Sequence, residues 1–181
     1  YFIHRFSMAN NMVTGLKATS SVVSIGFRAQ QTVANTFEQT EVDLNLSPLD
    51  REVFVVLAIN LDPQTPDNVA GTTTDVRSSL TTTSQTAAVG LNESNCLAVS
   101  SNVIRHHAAG IEGVGFQTIG LETPPATLEY IGIIATSDFF VQCSSTGNVN
   151  LKNVNGKLYG YRARASADIF AALVQSEVLS A

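Results

Sequence analysis

The apolar residues of this chain recur most often at every second position, which is the period of a half-buried β-strand. Residues 23–29 place Val, Ile, Phe and Ala at alternate positions, with Ser, Gly and Arg between them. Residues 41–46 repeat this alternation with Val and Leu against Glu, Asp and Asn. From Val53 to Ile59 almost every residue is apolar, a pattern typical of a strand buried on both faces.

The remaining strands are predicted from segments rich in β-branched or aromatic residues. The residues from Ser47 to Asp50 predict a turn, and those from Gly147 to Gly156 a hairpin connection, because Pro, Asn and Gly favour turn conformations. Residues 62–76 carry two prolines among Asp, Asn and Thr, so they predict a long exposed loop. Further strands are predicted at 72–86, 96–104, 114–121, 128–143 (a strand pair or one long bent strand) and 157–165.

The last part of the chain changes to a helical period. Ser166 can cap a helix, and Asp168 would lie in its first turn. An apolar stripe at helical spacing then predicts a helix within residues 166–180. Its members are Ile169, Phe170, Leu173, Val174 and Val178.

These elements predict an all-β fold, either a single jelly roll or a β-sandwich, of about eight strands with a short C-terminal α-helix. Crossover helices of the kind that join parallel strands are absent from the pattern. A length of 181 residues suits one domain, and we expect residues 1–20 to form an extended arm.

Charge is scarce in this chain. Only 14% of the residues are Asp, Glu, Lys or Arg, against roughly 25% in an average soluble domain. Ser and Thr supply 35 residues instead, with 13 Asn beside them. Since a monomer normally stays soluble through a mixed charged surface, this composition favours a protein covered by neighbouring chains. A weakly charged soluble monomer is the alternative.

The net charge of −5 and the absence of a Lys/Arg run argue against direct nucleic-acid binding. No stretch of 18 apolar residues is present, so we expect no membrane span.

Candidate chemistry is sparse, and we expect no enzyme and no cofactor. His106 and His107 are adjacent, so on a strand they would point to opposite faces and would not converge on a metal. The spacings typical of nucleophile elbows, zinc proteases and phosphate-binding loops are missing. Cys96 and Cys143 lie too far apart for a CxxC motif; we interpret them as buried free thiols, with a disulfide as the alternative.

Asp62, Asp67, Asn68 and Asp75 could supply oxygen ligands to calcium. Their spacing matches no EF-hand, so solvated loop carboxylates are the competing interpretation.

The strand at 157–165 and the terminal helix carry the candidate interface residues. Tyr159 and Tyr161 share one face of the strand, while Arg162 and Arg164 share the other and could bind a partner's carboxylate. Phe170 is the candidate from the helix. The competing interpretation of the arginines is two solvated charges.

Three segments together resemble the small jelly-roll shell proteins of icosahedral viruses: EVDLNLSPLDREVFVVLAINLDP, EYIGIIATSDFFVQ and GKLYGYRARASADIFAALVQSEVLSA. The resemblance implies a capsid or capsid-decoration subunit of a virion that assembles with copies of itself and with other shell proteins. Many such proteins carry a basic arm for packaging the genome, which this chain lacks. That departure favours a dsDNA virus or an outer decoration protein.

Two other classes of protein fit the same sequence. A secreted or cell-surface β-sandwich, such as an adhesin or a pilus-like subunit, would place the chain outside the cell. An enzyme or a sugar-binding module would need a concave polar pocket, and the absence of Trp weighs against carbohydrate stacking.

Overall fold

The computed structural model describes residues 15–107, 112–118, 120–122 and 129–180, and of residues 120–122 it describes the backbone alone. In this part of the chain there are eleven strands and one helix. They are β1 (Leu16–Ala18), β2 (Val23–Gln30), β3 (Glu38–Asp43), β4 (Glu52–Pro63), β5 (Thr74–Thr81), β6 (Cys96–His106), β7 (Gly113–Thr118), β8 (Gly120–Glu122), β9 (Gly132–Ile134), β10 (Asp138–Thr146), β11 (Asn153–Ala165) and α1 (Ala167–Leu179).

The strands form two antiparallel sheets that face each other. A five-stranded sheet has the order β3-β10-β5-β6-β7. A six-stranded sheet is built around β11 and β4, with β1 and β2 on β11 and with β8 and β9 on β4. The prediction of an all-β sandwich with a C-terminal helix is therefore confirmed.

The pairing of the strands has the topology of a jelly roll. Strands β2, β3, β4 and β5 pair with β11, β10, β9 and β6 respectively, as four nested antiparallel pairs. A long hairpin that rolls up on itself produces this nesting, and the four pairs alternate between the two sheets.

Strand β4 is buried on both faces, as its unbroken apolar run predicted. Phe54 and Val56 enter the core between the sheets, whereas Val53 and Val55 belong to a second cluster on the outer side of the six-stranded sheet. The core between the sheets contains Ala29, Leu44, Leu46, Phe54, Val56, Ile59, Leu61, Val76, Leu80, Ala98, Ile134, Phe139, Val141, Cys143, Val154 and Leu158.

Helix α1 packs on this second cluster, so the helix docks on its own domain. Its Ile169, Phe170, Leu173 and Val174 lie against the six-stranded sheet. The predicted cap is present, because the backbone N–H of Ile169 donates to Ser166 Oγ at 3.4 Å.

A buried carboxylate fixes the last turns of α1. Glu177 accepts the backbone N–H of Ala135 at 2.8 Å and that of Thr136 at 3.0 Å. Burial raises the pKa of Glu177, while these hydrogen bonds lower it. The helix is therefore held by polar contacts near its end as well as by its apolar stripe.

Several boundaries differ from the sequence predictions. Strand β4 extends to Pro63 and β5 begins at Thr74, so the loop predicted at 62–76 is limited to 64–73. The segment 114–121 is divided between β7 and β8, which belong to different sheets. The segment 128–143 contains β9 and most of β10, a strand pair, whereas β1 is too short to leave a detectable periodicity. Of the predicted arm, residues 1–14 lie outside the described residues, and residues 16–18 form β1.

Candidate interaction surfaces

Three loops lie side by side at one end of the sandwich, and we call them the loop end: 31–37, 64–73 and 147–152. Two asparagines join the first loop to the third. The backbone N–H of Asn148 donates to Asn35 Oδ1 at 2.7 Å, and Asn35 Nδ2 donates to the carbonyl of Asn148 at 2.8 Å. This reciprocal pair fixes the two loops against each other.

An ion pair joins the second loop to the third. Lys152 Nζ lies 2.6 Å from Asp67 Oδ1, and only 3% of the Lys152 side chain is exposed. Asp67 also accepts the backbone N–H groups of Val149 and Asn150 at 3.0 and 2.8 Å. The hydrogen bond from Lys152 and those from the backbone lower the pKa of Asp67 to about 2.

Buried amides complete this framework. Gln31 Oε1 accepts both the backbone N–H of Lys152 and the hydroxyl of Ser145, each at 3.0 Å. Asn148 Oδ1 accepts the backbone N–H of Asp67 at 2.8 Å. Residues from all three loops thus share one hydrogen-bonded network, which is expected to keep the loop end rigid.

Apolar side chains are exposed on this framework. Val33 lies on the first loop, and Val149 and Leu151 lie on the third. Val149 has 72% of its surface exposed although its backbone is held by Asp67. The loop end therefore combines a fixed backbone with exposed apolar tips, an arrangement suited to protein contact.

A second surface is the outer face of the five-stranded sheet, the side that faces away from the core. The loop 82–95 covers its middle through a polar network. Gln142 Nε2 donates to Gln39 Oε1 at 2.9 Å, and the same oxygen accepts the backbone N–H of Gln85 at 2.8 Å. Ser79 Oγ donates to Gln142 Oε1 at 2.8 Å, so both the nitrogen and the oxygen of the buried Gln142 amide are hydrogen-bonded.

Beside this loop lies a groove of about 650 Å³, which we call the basic groove. Arg105 stands over the ring of Phe116 at 5.8 Å, a distance that permits a cation–π contact. Phe116 is 56% exposed. Strands β5, β6 and β7 and residues 88–90 supply the lining, which includes Arg77, Val99, Ser101, Val103, Arg105 and Phe116.

The opposite corner of the same face is acidic. Glu41 and Asp43 of β3 lie beside Asp138 of β10, and we call these three residues the acidic corner. Burial raises the pKa of Asp138 to about 6, with further contributions from Glu41, Asp43 and Glu177. The carboxylates therefore repel one another, and no Lys or Arg forms an ion pair with them within the described residues.

The structure places the interface residues predicted on β11 and α1 as follows. Tyr161 and Phe170 are half-buried between the six-stranded sheet and α1, and Tyr159 is half-buried beside a β-bulge. Arg162 Nη1 lies 2.6 Å from Glu52 Oε1, and Arg164 lies 3.5 Å from Asp50. The two arginines thus bind carboxylates of their own chain, and a role in contacts with another chain stays a prediction.

The candidate metal ligands do not converge in the described part of the chain. Asp67 is held by Lys152, Asp75 pairs with Arg77 at 3.1 Å, and Asp62 is exposed on β4. His106 ends β6, and His107 follows it. No group of three His, Cys, Asp or Glu side chains that could hold a metal occurs among the described residues.

Cys96 and Cys143 are both buried and form no disulfide, as the sequence indicated. Burial raises the pKa of Cys143 to about 11, so this thiol stays protonated at neutral pH. No helix in the described ranges is long and apolar enough to cross a membrane.

Comparison with known proteins adds little to this geometry. No family model matches the sequence, and no curated protein matches it. Among solved structures, the chain is similar to one titled Desmodium yellow mottle tymovirus. The TM-score is 0.29 and the sequence identity 10%, over 81% of this chain and 90% of that chain. A similarity of this size identifies neither a family nor a function.

Proposed function

We propose that this chain is a non-catalytic structural subunit of a virion, either a capsid or a capsid-decoration subunit, that assembles with copies of itself and with other shell proteins. The loop end is the observation that carries the proposal. There a buried ion pair and paired amides hold exposed Val33, Val149 and Leu151 in position. Apolar groups on a fixed backbone lose little conformational entropy when they meet a partner, which favours assembly.

The jelly-roll topology supports the same proposal. This architecture occurs in viral capsid domains and also in lectin domains and cupins, so it does not decide the function by itself. Of these three classes of protein, the shell subunit is the one whose role requires only surfaces for contact with other proteins. The loop end and the outer face of the five-stranded sheet supply two such surfaces.

The charge of the chain is consistent with a shell that does not neutralise its genome directly. A net charge of −5 without a basic run offers no row of cations for phosphates. We therefore propose protein partners alone, and a dsDNA virus or an outer decoration layer as the setting. A surface low in charge is also better suited to burial by neighbours than to isolation in water.

Sedimentation velocity on the purified full chain tests the proposal. We expect association that increases with protein concentration. Val149→Asp should weaken it at least about tenfold, because a charge would enter an apolar contact. Val22→Asp is the matched control, since Val22 is similarly exposed but lies at the opposite end of β2.

Both variants should keep the thermal stability of the wild type, because both side chains are exposed. A chain that stays monomeric at high concentration and is absent from particles would contradict the proposal. If Val149→Asp associates as strongly as the wild type, the loop end is not the surface through which the chain associates.

A further inference from the structure

The outer face of the five-stranded sheet has opposite charges at two distant corners. Glu41, Asp43 and Asp138 form the acidic corner on β3 and β10. Arg105 and Arg77 flank the basic groove, which is built on β5, β6 and β7. Strands β3 and β7 are the two edges of the sheet, so the acidic residues lie at and beside one edge, while Arg105 and Arg77 lie on β6 and β5, toward the other edge.

The two corners are too far apart to neutralise each other within one chain. Arg105 lies three strands from Glu41 and is displaced by about eight residues along the strands, judged from the pairing register. With spacings of about 4.8 Å between strands and 3.3 Å along a strand, the separation is about 30 Å. That distance is about four Debye lengths at physiological salt.

Among the described residues, no ion pair neutralises the acidic corner or Arg105, whereas Arg77 is paired with Asp75. The described residues contain four ion pairs, and none of them includes Arg105, Glu41, Asp43 or Asp138. Burial raises the pKa of Asp138, and the neighbouring carboxylates Glu41 and Asp43 raise it further, so a cation beside this corner would be favourable. Among the described residues of the five-stranded sheet, the arginines Arg77 and Arg105 lie at the other corner.

Each corner also has apolar surface on the same face. Phe140, half-buried, lies opposite Glu41 in the ladder between β10 and β3. In the basic groove, Phe116 and Val103 lie beside Arg105. Contact between the acidic corner of one copy and the basic groove of another would therefore bury apolar groups, while the charges would determine the orientation of the two copies.

We propose that copies of this chain associate head to tail, with the acidic corner of one copy seated against the basic groove of the next. This inference rests on the proposed function, since it specifies one of the self-contacts of the shell subunit. A two-fold axis through either corner would bring like charges together, whereas a head-to-tail, heterologous repeat pairs the acidic corner of each copy with the basic groove of the next. Heterologous contacts close into rings when the rotation permits, and a shell needs such closure.

Charge reversal at one residue of each corner tests the contact. Arg105→Glu and Glu41→Arg should each weaken self-association at least about tenfold in sedimentation velocity, because each creates a like-charge contact. The double variant, with both changes in one chain, should associate nearly as strongly as the wild type. An equimolar mixture of the two single variants should also associate. In the mixture, the unchanged acidic corner of Arg105→Glu can meet the unchanged basic groove of Glu41→Arg, and the two reversed sites can meet each other.

Arg28→Glu is the matched control for the change in net charge. Arg28 is exposed on β2 of the six-stranded sheet, away from both corners, and its reversal should leave association unchanged. Because all three side chains are exposed, thermal melting should show folded proteins throughout. Association of the wild type should also weaken as salt increases.

The outcomes separate this contact from the proposed function. If the wild type associates and Arg105→Glu associates equally, the contact is overturned while the shell role stands; the groove would then suit an acidic partner other than a second copy. If both single variants fail and the double variant does not recover, the pairing of these two corners is overturned. A monomeric wild type would overturn both proposals.

Discussion

Lys152 and Asp67 form a buried ion pair between two loops, with Nζ of the lysine 2.6 Å from Oδ1 of the aspartate. The residues are 85 positions apart in the sequence. The pair belongs to the same network as Asn148 and Gln31, so it joins the loop between β4 and β5 to the connection between β10 and β11. This contact determines how the exposed tips of the loop end are presented.

Loss of the cation should destabilise the fold. Lys152→Met would leave Asp67 without a cation, with only the backbone N–H groups of Val149 and Asn150 and the side-chain amide of Asn150 as donors. We expect the free energy of unfolding to fall by about 2–3 kcal/mol. The expected loss is smaller than for a fully buried pair, since about a fifth of the Asp67 side chain is exposed. Urea unfolding measures it.

Arg164→Met is the matched control, because the pair of Arg164 with Asp50 is exposed and longer, at 3.5 Å. Its removal should cost less than about 1 kcal/mol. Equal losses in the two variants would contradict the structural role given to Lys152.

Glu177 should be the residue that fixes the end of α1. Glu177→Ala would leave the backbone N–H groups of Ala135 and Thr136 without their acceptor. We expect the free energy of unfolding to fall by about 1–3 kcal/mol, with faster hydrogen exchange in the last turns of the helix. Gln175→Ala, exposed on the same helix, should change stability by no more than about 0.5 kcal/mol. If hydrogen exchange in the last turns of α1 is unchanged in Glu177→Ala, the apolar stripe alone holds the helix on the sheet.

The stability of the fold should depend on pH through Asp138. Its pKa is about 6 in the folded chain against an ordinary value of 3.8, so the folded state binds the proton more tightly than the unfolded state. This group therefore reduces stability as pH rises from about 4 to 6, and the reduction is complete above pH 6. Asp138→Asn should flatten that part of the curve and raise stability at pH 7.

Unfolding measured across pH 4–8 shows this effect. Asp62→Asn is the control, since it removes an exposed carboxylate from β4 and should leave the slope unchanged. An Asp138→Asn curve parallel to that of the wild type would exclude Asp138 as the source.

Gly160 should tolerate no side chain. A Cβ at this position of β11 would collide with the backbone oxygen of Val55 and with the ring of Phe54. Gly160→Ala should lower the free energy of unfolding by about 1–3 kcal/mol through overpacking. Gly26→Ala, on the neighbouring β2, meets nothing within 4 Å and should be close to neutral. Similar melting temperatures for the two variants would contradict the close packing of Gly160 against β4.

The features that were predictable from sequence depend on local pattern. Helix α1 has the boundaries that its cap at Ser166 and its apolar spacing indicate. The run from Val53 to Ile59 predicts a strand buried on both faces, and β4 packs between the core and the helix. In each case the signal lies within a dozen neighbouring residues, so periodicity and capping suffice.

The candidate surfaces were not predictable, because they join distant parts of the chain. Asn35 and Asn148 are 113 positions apart, and neither stands in a motif that names its partner. The loop that contains Asp67, one of the candidate calcium ligands, is largely exposed but is tied to Lys152 through that carboxylate. Similarly, Arg105 and Glu41 become opposite corners of one face only when β3 and β7 take the two edges of a sheet. Topology, rather than local pattern, creates these relationships.

The central claim is that this chain is a repeated subunit of a virion. Electron microscopy of gradient-purified material from the source, combined with mass-spectrometric counting of this chain in the same fractions, tests it most directly. We predict ordered particles that contain many copies of the chain in a fixed ratio to the other shell proteins. Recovery of the chain only in dispersed, monomeric fractions, with no particles that contain it, would contradict the claim.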